Sequence, residues 1–231
     1  MQKRDWLLRS ACLLVSLEIL LMIGSLTAFR MAGVAPGNAA VPLASSFPYR
    51  LGCWLMLAHN AFELSVYAVL ARMLATENRS FAIAGFLSLL IGLGTLSFAI
   101  LIKMEFIPNA SPGLPVDEPF ELGFQTLDTL LGFVGAFFVL PASGFFALAT
   151  LRHFESRPIV PLALFMGIPI GLVNLFISES SYPLFQALED WLVPIFILAK
   201  QSVLLWWFAS LVRPAKAKQK LTIAPEFAVH T

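Results

Sequence analysis

Long apolar runs separated by short polar breaks make up the hydrophobicity pattern of this chain. The hydrocarbon core of a bilayer is about 30 Å thick and is crossed by about 20 residues of α-helix. Six apolar runs reach that length, so the pattern predicts an all-α protein, a polytopic transmembrane bundle of six helices. The predicted helices cover about 6–29, 51–71, 81–102, 123–149, 158–178 and 190–212.

The breaks between the runs carry residues typical of turns. Two of them, 30–50 and 103–122, are longer, at about 20 residues, and a lid over an external opening is one interpretation of these segments. An irregular connection is the other. The chain of 231 residues is predicted to form a single membrane domain, 1–231, that ends in a basic cytoplasmic tail over 213–231.

Composition strengthens the membrane prediction and excludes two other classes. Hydrophobic residues make up 58% of the chain and the mean hydropathy is +0.82, which is outside the range of soluble globular proteins. The formal net charge is only +1, whereas a nucleic-acid-binding protein needs a concentrated basic face. We therefore predict the lipid bilayer as a partner and no nucleic acid.

The distribution of basic residues predicts the orientation of the helices. Cytoplasmic loops of membrane proteins hold an excess of Lys and Arg. With the N-terminus inside, eleven basic residues fall on the cytoplasmic side and three, Arg30, Arg50 and Lys103, fall outside. The pattern therefore predicts an N-in/C-in bundle with both termini in the cytoplasm.

Three ionisable residues, Glu18, Glu63 and Lys200, stand near the middle of otherwise apolar runs. A charge at this depth costs about 2.5–3.5 kcal/mol on insertion scales, so each needs a partner, a wet cavity or a neutral form. The side chain of Lys200 is too short to reach the membrane surface. We expect Lys200 to pair with Glu63 or Glu18, or to be deprotonated. If Lys200 pairs with one glutamate, the other is in excess, and we expect one of the two to be protonated or to share a proton with His59.

A polar stripe follows one face of the second predicted helix. At 100° per residue, Met56, His59, Asn60, Glu63 and Tyr67 fall within an arc of about 100°. Lipid offers these groups no hydrogen-bond partners, so the stripe must face other helices or water. One interpretation is a proton or cation site that uses His59 and Glu63, and the other is an interhelical network that fixes packing.

The sequence contains no recognisable catalytic or metal motif. H-E-x-x-H and C-x-x-C motifs are absent, and His59 is the only histidine inside a predicted span, so a zinc centre would need carboxylates from other helices. We therefore predict no metal, no cofactor and no catalytic residue. Asp128, near the outer end of the fourth helix, is either a residue at the mouth of a site or a solvated helix start.

Glycine and proline spacing bears on helix packing. Gly132, Gly135 and Gly144 with Pro141 are expected to interrupt the fourth helix, and 167–171 is a G-x-x-x-G around a proline in the fifth. Small residues allow helices to approach closely, whereas intramembrane proline frees a carbonyl that can kink a helix or line a cavity. Close packing and a broken helix at a binding site are the two interpretations.

Three short motifs carry a resemblance to a known family. They are the loop-to-helix sequence Tyr49-Arg50-Leu51-Gly52, the helix end Val66-Tyr67-Ala68-Val69-Leu70 and the turn Asn78-Arg79-Ser80. The chain resembles an uncharacterised family of small six-helix bacterial integral membrane proteins, a domain of unknown function. The resemblance implies six helices and a bacterial cytoplasmic (inner) membrane, and it brings no activity.

These observations leave three functional classes open. The first is binding or movement of a small solute or ion, which would make the protein a transporter or a related binding protein. The second is a noncatalytic subunit or sensor that packs against a partner membrane protein or a second copy. The third is an intramembrane enzyme that would need His59, Glu63 and Asp128 together. The residues of the predicted ligand or proton site are Glu18, His59, Asn60, Glu63, Tyr67, Asp128 and Lys200.

Overall fold

The computed structural model of the protein describes residues 2–33, 46–106, 118–153, 157–177 and 183–212. Side chains are described over 5–33, 46–104, 126–153, 157–172 and 193–212, and at position 123. The basic tail 213–231 and most of the two long connections lie outside the described residues. The interpretation of these connections as a lid therefore stays a prediction.

All regular structure in the described ranges is α-helical, and it forms six elements in the chain. Four of these helices are long and apolar enough to cross a membrane, judged by length and composition over the described residues. The elements are α1 (Gln2–Met31), α2 (Phe47–Phe106), α3 (Glu118–Leu151), α4 (Ile159–Phe165), α5 (Gly167–Ile177) and α6 (Pro183–Val212).

Helix α2 is a hairpin of two arms, 47–77 and 79–106, that meet at Asn78. Asn78 has non-helical dihedral angles, φ −144° and ψ 63°. Across the break, Asn60 Nδ2 donates a hydrogen bond of 3.1 Å to Ser97 Oγ. A straight helix would hold two residues this far apart in sequence about 55 Å away from each other, so the second arm folds back along the first.

The two arms of α2 correspond to the predicted helices 51–71 and 81–102. The turn that was predicted between them is a single residue in the structure. The fifth predicted helix, 158–178, differs more. It is two short helices, α4 and α5, which meet at Met166. Pro169 has no N–H to bond the carbonyl of Phe165, and this loss explains a break at that point.

The expectation that glycines and Pro141 interrupt the fourth helix is wrong. Helix α3 runs without a break from Glu118 to Leu151 with Pro141 inside it. Proline removes one backbone hydrogen bond but keeps a helical φ, and packing against neighbouring helices can compensate for the lost bond. The observed α3 and α6 are also longer at their N-terminal ends than predicted.

The helices pack around one main apolar core. The arms of α2 lie against α1 and α3, α6 lies against α1, and α4 and α5 lie against α3. Aromatic residues from three of these elements meet there: Tyr67 stacks at a tilt on Phe146 with ring centroids 4.8 Å apart, and Trp207 lies on Phe208. The fully buried members of this core include Leu8, Val15, Leu70, Leu74, Phe146, Leu204 and Trp207.

In the described part of the chain several polar side chains are buried, and many large apolar side chains are exposed on the outside. Glu18 and Gln201 are 1% and 0% exposed, whereas Leu20, Phe137 and Ile195 are 64%, 58% and 57% exposed. A water-soluble protein buries the second kind of residue and exposes the first. Hydrocarbon favours the observed arrangement, because it solvates apolar side chains and offers polar groups no hydrogen bonds.

The second arm of α2 crosses α3 at a pair of glycines. A Cβ atom added to Gly92 would lie 2.9 Å from the carbonyl oxygen of Gly135 and 2.8 Å from Val139 Cγ2. A Cβ atom added to Gly135 would lie 2.6 Å from Leu96 Cγ. The absence of side chains at both positions therefore permits the close approach of the two backbones.

The close-packing interpretation of the G-x-x-x-G in 167–171 is confirmed. Both glycines are buried against α3, Gly167 beside Ser143 and Gly171 beside Leu140. A Cβ atom at Gly171 would approach Leu140 Cδ2 to 2.7 Å. The small-residue face of α5 is therefore used inside the chain.

We predict that Gly92→Ala lowers the free energy of unfolding by about 1–3 kcal/mol, because the new methyl group meets backbone atoms of α3 that cannot move aside. Gly94→Ala is the matched control, since a Cβ atom there has nothing within 4 Å. The control should be neutral or stabilising by up to about 1 kcal/mol through helix propensity. Unfolding of both variants in detergent measures the difference, and equal stabilities would contradict the crossing.

Candidate functional site

Five polar side chains from three helices meet at the centre of the molecule. The central cluster consists of Glu18 from α1, His59 and Glu63 from the first arm of α2, and Lys200 and Gln201 from α6. Glu18 lies midway along the apolar span Asp5–Met31. Glu63 lies midway between the start of α2 and its break, and Lys200 and Gln201 lie in the middle third of α6.

Lys200 and Glu63 form an ion pair within the apolar interior. Lys200 Nζ donates a hydrogen bond of 2.8 Å to Glu63 Oε1, and the two side chains are 11% and 9% exposed. The same ammonium lies 5.4 Å from the centre of the Tyr67 ring, within the range of a cation–π contact. The sequence predicted that Lys200 would pair with Glu63 or Glu18, and the partner is Glu63.

Glu18 has a neutral partner. Gln201 Nε2 donates a hydrogen bond to Glu18 Oε1, and both side chains are almost fully buried. The other polar atom of this amide, Gln201 Oε1, is buried and has no hydrogen-bond partner among the described residues. An amide dipole stabilises a carboxylate but does not neutralise it, and the described residues form no ion pair with Glu18.

His59 lies between the two glutamates. Its Nδ1 is 3.3 Å from the backbone carbonyl oxygen of Glu18, and its Nε2 is 3.8 Å from Glu63 Oε2. A carbonyl oxygen only accepts hydrogen bonds, so Nδ1 is the donor in this contact. In a neutral imidazole the lone pair is then on Nε2, facing the carboxylate of Glu63. The spacing of four residues places both groups on one face of the helix.

The other residues of the polar stripe border the central cluster. Asn60 is 6% exposed and bonds to Ser97 on the second arm of α2, and Tyr67 is 3% exposed between Lys200 and Phe146. These contacts hold the first arm in a fixed rotation about its axis. His59 and Glu63 therefore face α1 and α6.

Asp128 does not belong to the central cluster. Its carboxylate Oδ2 lies 2.9 Å from Lys103 Nζ, near the end of α2. Lys103 is six residues beyond Ser97, which is about 9 Å further along the arm. The side chain of Asp128 is 29% exposed. The structure thus separates Asp128 from the other residues of the predicted site and places it in a peripheral ion pair.

The central cluster holds more acids than permanently charged bases. Glu18 and Glu63 are two acids, and Lys200 is the single base besides the imidazole of His59. One negative charge is in excess when both acids are ionised and His59 is neutral. The ligand atoms of Glu18, His59 and Glu63 all lie within 4.8 Å of one another, and all three residues are buried. The arrangement can therefore attract positive charge, as a proton or as a bound cation.

Sequence patterns did not identify two residues of this region, Gln201 and Ser97. Gln201 follows Lys200 directly and points about 100° away from it around α6, so the two reach different glutamates. A polar amide inside an apolar span was the available signal. Ser97 carries a weaker signal, because serine is common in membrane helices and bonds its own backbone.

Comparison with known proteins finds no relative: none of the protein-family models, curated proteins or solved structures matches the chain. The function must therefore be inferred from the residues of the chain themselves.

We predict that Lys200→Met destabilises the protein by about 3–5 kcal/mol, because it leaves two carboxylates buried without a cation. The double variant Lys200→Met, Glu63→Gln should recover most of this loss, since it removes one charge of each sign. Unfolding of the single and double variants in detergent gives the coupling energy. Asp128→Asn is the peripheral control and should cost less than about 1 kcal/mol. A double variant no more stable than Lys200→Met would refute the pairing.

Proposed function

We propose that the protein binds or moves a small solute or ion through the central cluster, and that the ligand is a cation. The observation that carries this proposal is the excess of one carboxylate over one ammonium among buried side chains. A net charge in an apolar interior is costly, and a positively charged ligand removes that cost.

The pairing of Lys200 supports a site that can change its occupancy. Its ammonium takes one oxygen of Glu63 and leaves Oε2 facing His59. A cation that enters between these two groups would compete electrostatically with Lys200 for the same carboxylate. A side chain that can be displaced by a ligand is a common requirement of reversible binding, because it keeps the empty site stable.

A noncatalytic subunit or sensor is the second candidate, and the Lys200–Glu63 pair is the observation in its favour, because a buried pair can serve packing alone. Two observations weigh against it. The described residues form no ion pair with Glu18, and the small residues Gly167 and Gly171 are covered by α3 and do not form a docking face. The enzyme alternative requires Asp128 beside His59 and Glu63, and Asp128 pairs with Lys103 instead.

We further propose that the chain crosses a bacterial cytoplasmic membrane six times, with both termini inside. The two arms of α2 would be the second and third crossings, and the broken pair α4–α5 would be the fifth. The outward-facing apolar side chains and the excess of basic residues on the predicted inner side support this proposal.

The topology is tested with two reporter fusions in bacterial cells. We expect a green fluorescent protein fused to the C-terminus to fluoresce, because that end is proposed to be cytoplasmic. Alkaline phosphatase fused after position 112, in the predicted outer connection, should be active, because the enzyme folds only outside the cytoplasm. A fluorescent fusion at 112 or an active phosphatase at the C-terminus would contradict the orientation.

The function is tested by screening the purified chain for cations that stabilise it. The screen compares thermal unfolding in detergent with sodium, potassium, magnesium, calcium, manganese and zinc, each over a range of pH. A cation present at a hundred times its dissociation constant should stabilise the folded state by about 2.7 kcal/mol.

The cation effect should disappear in Glu18→Gln and remain in Asp128→Asn, which changes a carboxylate outside the central cluster. Glu18→Gln is preferred to a change at Glu63 because it does not strand Lys200. If no cation and no pH change affects the wild-type chain differently from Glu18→Gln, the central cluster is a packing device and the proposal fails.

A further inference from the structure

We propose that the central cluster is a binding site for a first-row divalent transition-metal ion, held by His59 Nε2 and by one carboxylate oxygen each from Glu63 and Glu18. This inference rests on the proposed function, in that it names the class of cation that the cluster takes. The inference goes beyond the proposed function because a metal site requires a defined set of donor atoms, which a general cation site does not.

The distances between the donor atoms suit a metal ion. In a tetrahedral site with bonds of about 2.05 Å, neighbouring ligand atoms are about 3.4 Å apart. His59 Nε2 and Glu63 Oε2 are 3.8 Å apart, and one ligand atom from each of Glu18, His59 and Glu63 lies within 4.8 Å of the others. The sequence had made a metal centre conditional on carboxylates from other helices, and Glu18 on α1 supplies one.

The imidazole is held as in metal sites. A metal-binding histidine usually donates its second ring N–H to a backbone carbonyl or a carboxylate, which fixes the tautomer and the direction of the lone pair. Here Nδ1 faces the carbonyl oxygen of Glu18 at 3.3 Å. The lone pair of Nε2 is therefore directed toward Glu63, into the space between the two acids.

Each carboxylate is also oriented by a second residue that leaves one oxygen available. Lys200 Nζ bonds to Oε1 of Glu63, and Gln201 Nε2 bonds to Oε1 of Glu18. Such outer contacts hold metal ligands in place in known sites. The second oxygen of Glu63, Oε2, is the one that approaches His59.

An unpartnered buried atom gives independent support for a ligand. Gln201 is 0% exposed, and its Oε1 has no hydrogen-bond partner among the described residues. Buried polar atoms without a partner are rare in folded proteins, and a bound ion satisfies some of them. Oε1 belongs to the same small amide group whose Nε2 bonds Glu18. A metal ion could use it as a fourth ligand.

The donor types define the class of metal. One imidazole nitrogen among carboxylate and amide oxygens is a mixed set, and nitrogen favours zinc, iron and related ions over magnesium and calcium, which prefer oxygen ligands only. Soft copper(I) prefers sulfur, and neither Cys12 nor Cys53 belongs to the central cluster. We therefore expect manganese, iron, cobalt or zinc in the divalent state.

The experiment uses the purified full-length chain in detergent, stripped with a chelator and then incubated with zinc, manganese or cobalt. We expect one metal ion per chain after removal of free metal, measured by elemental analysis, with affinity measured by calorimetric titration. Cobalt adds a spectroscopic readout, because its visible absorption bands report nitrogen and oxygen coordination. Magnesium and calcium at the same concentration should not compete.

Glu18→Gln and His59→Gln should each weaken metal binding by at least tenfold, since each removes a ligand, and the loss of a residue that only orients a ligand already costs about 10- to 100-fold. Neither variant leaves Lys200 without its partner, so both are expected to fold. Lys200→Met should bind the metal more tightly than the wild type, because it removes a competing positive charge. A bound metal should also restore the stability of that variant.

Two controls separate this site from others. Asp128→Asn should bind metal as the wild type does. His153→Gln tests adventitious binding, because His153 Nε2 lies 3.8 Å from Glu77 Oε1 elsewhere in the molecule. If binding is lost in His153→Gln but kept in Glu18→Gln and His59→Gln, the metal is not in the central cluster and the inference is overturned.

The outcomes distinguish the metal inference from the proposed function. Failure to bind any of the three metals, together with stabilisation by sodium, potassium or a pH change that Glu18→Gln abolishes, overturns the metal and keeps the cation site. Failure of every cation and every pH step overturns both.

Discussion

Hydrocarbon offers no hydrogen bonds, and this constraint determines how the polar residues of the chain are arranged. Buried polar side chains must find partners on their own or neighbouring helices, so the contacts between helices specify which helices meet and in which rotation. The Lys200–Glu63 pair joins α6 to the first arm of α2, Gln201 and Glu18 join α6 to α1, and Asn60 with Ser97 closes the hairpin. The apolar residues then fill the space between contacts that are already fixed.

Two kinds of contact do different work in this bundle. Small residues let backbones approach, as at Gly92 and Gly135. Their effect is steric, and it tolerates small shifts of one helix along the other. Buried polar contacts are directional and few, so they select a single register. The central cluster combines this directional role with a second acid, Glu18, whose partner is a neutral amide, and this excess of acids is the basis of the proposed cation site.

The sequence was sufficient for the features that depend on one helix alone. Hydrophobic runs predicted α1, both arms of α2, α3 and α6, and the stripe through His59 and Glu63 follows from helical periodicity. Features that depend on two helices were harder. One such feature is the choice of Glu63 over Glu18 as the partner of Lys200, and the roles of Gln201 and Ser97 are another. Both depend on how each helix is rotated about its axis, which the surrounding apolar residues do not specify.

Proline gave mixed results, because neighbouring helices decide whether a lost hydrogen bond breaks the helix. The helix breaks near Pro169 and continues through Pro141.

The Lys200–Glu63 pair also has a consequence for the order of synthesis. The two residues are 137 positions apart in the chain, so the carboxylate leaves the ribosome long before its ammonium partner. Asn60 meets Ser97 after only 37 residues, and the hairpin can be complete while α6 does not yet exist. During that interval the acid must stay near water or near the insertion machinery, because lipid would not accept it alone. The arrival of α6 therefore completes the electrostatics of the central cluster.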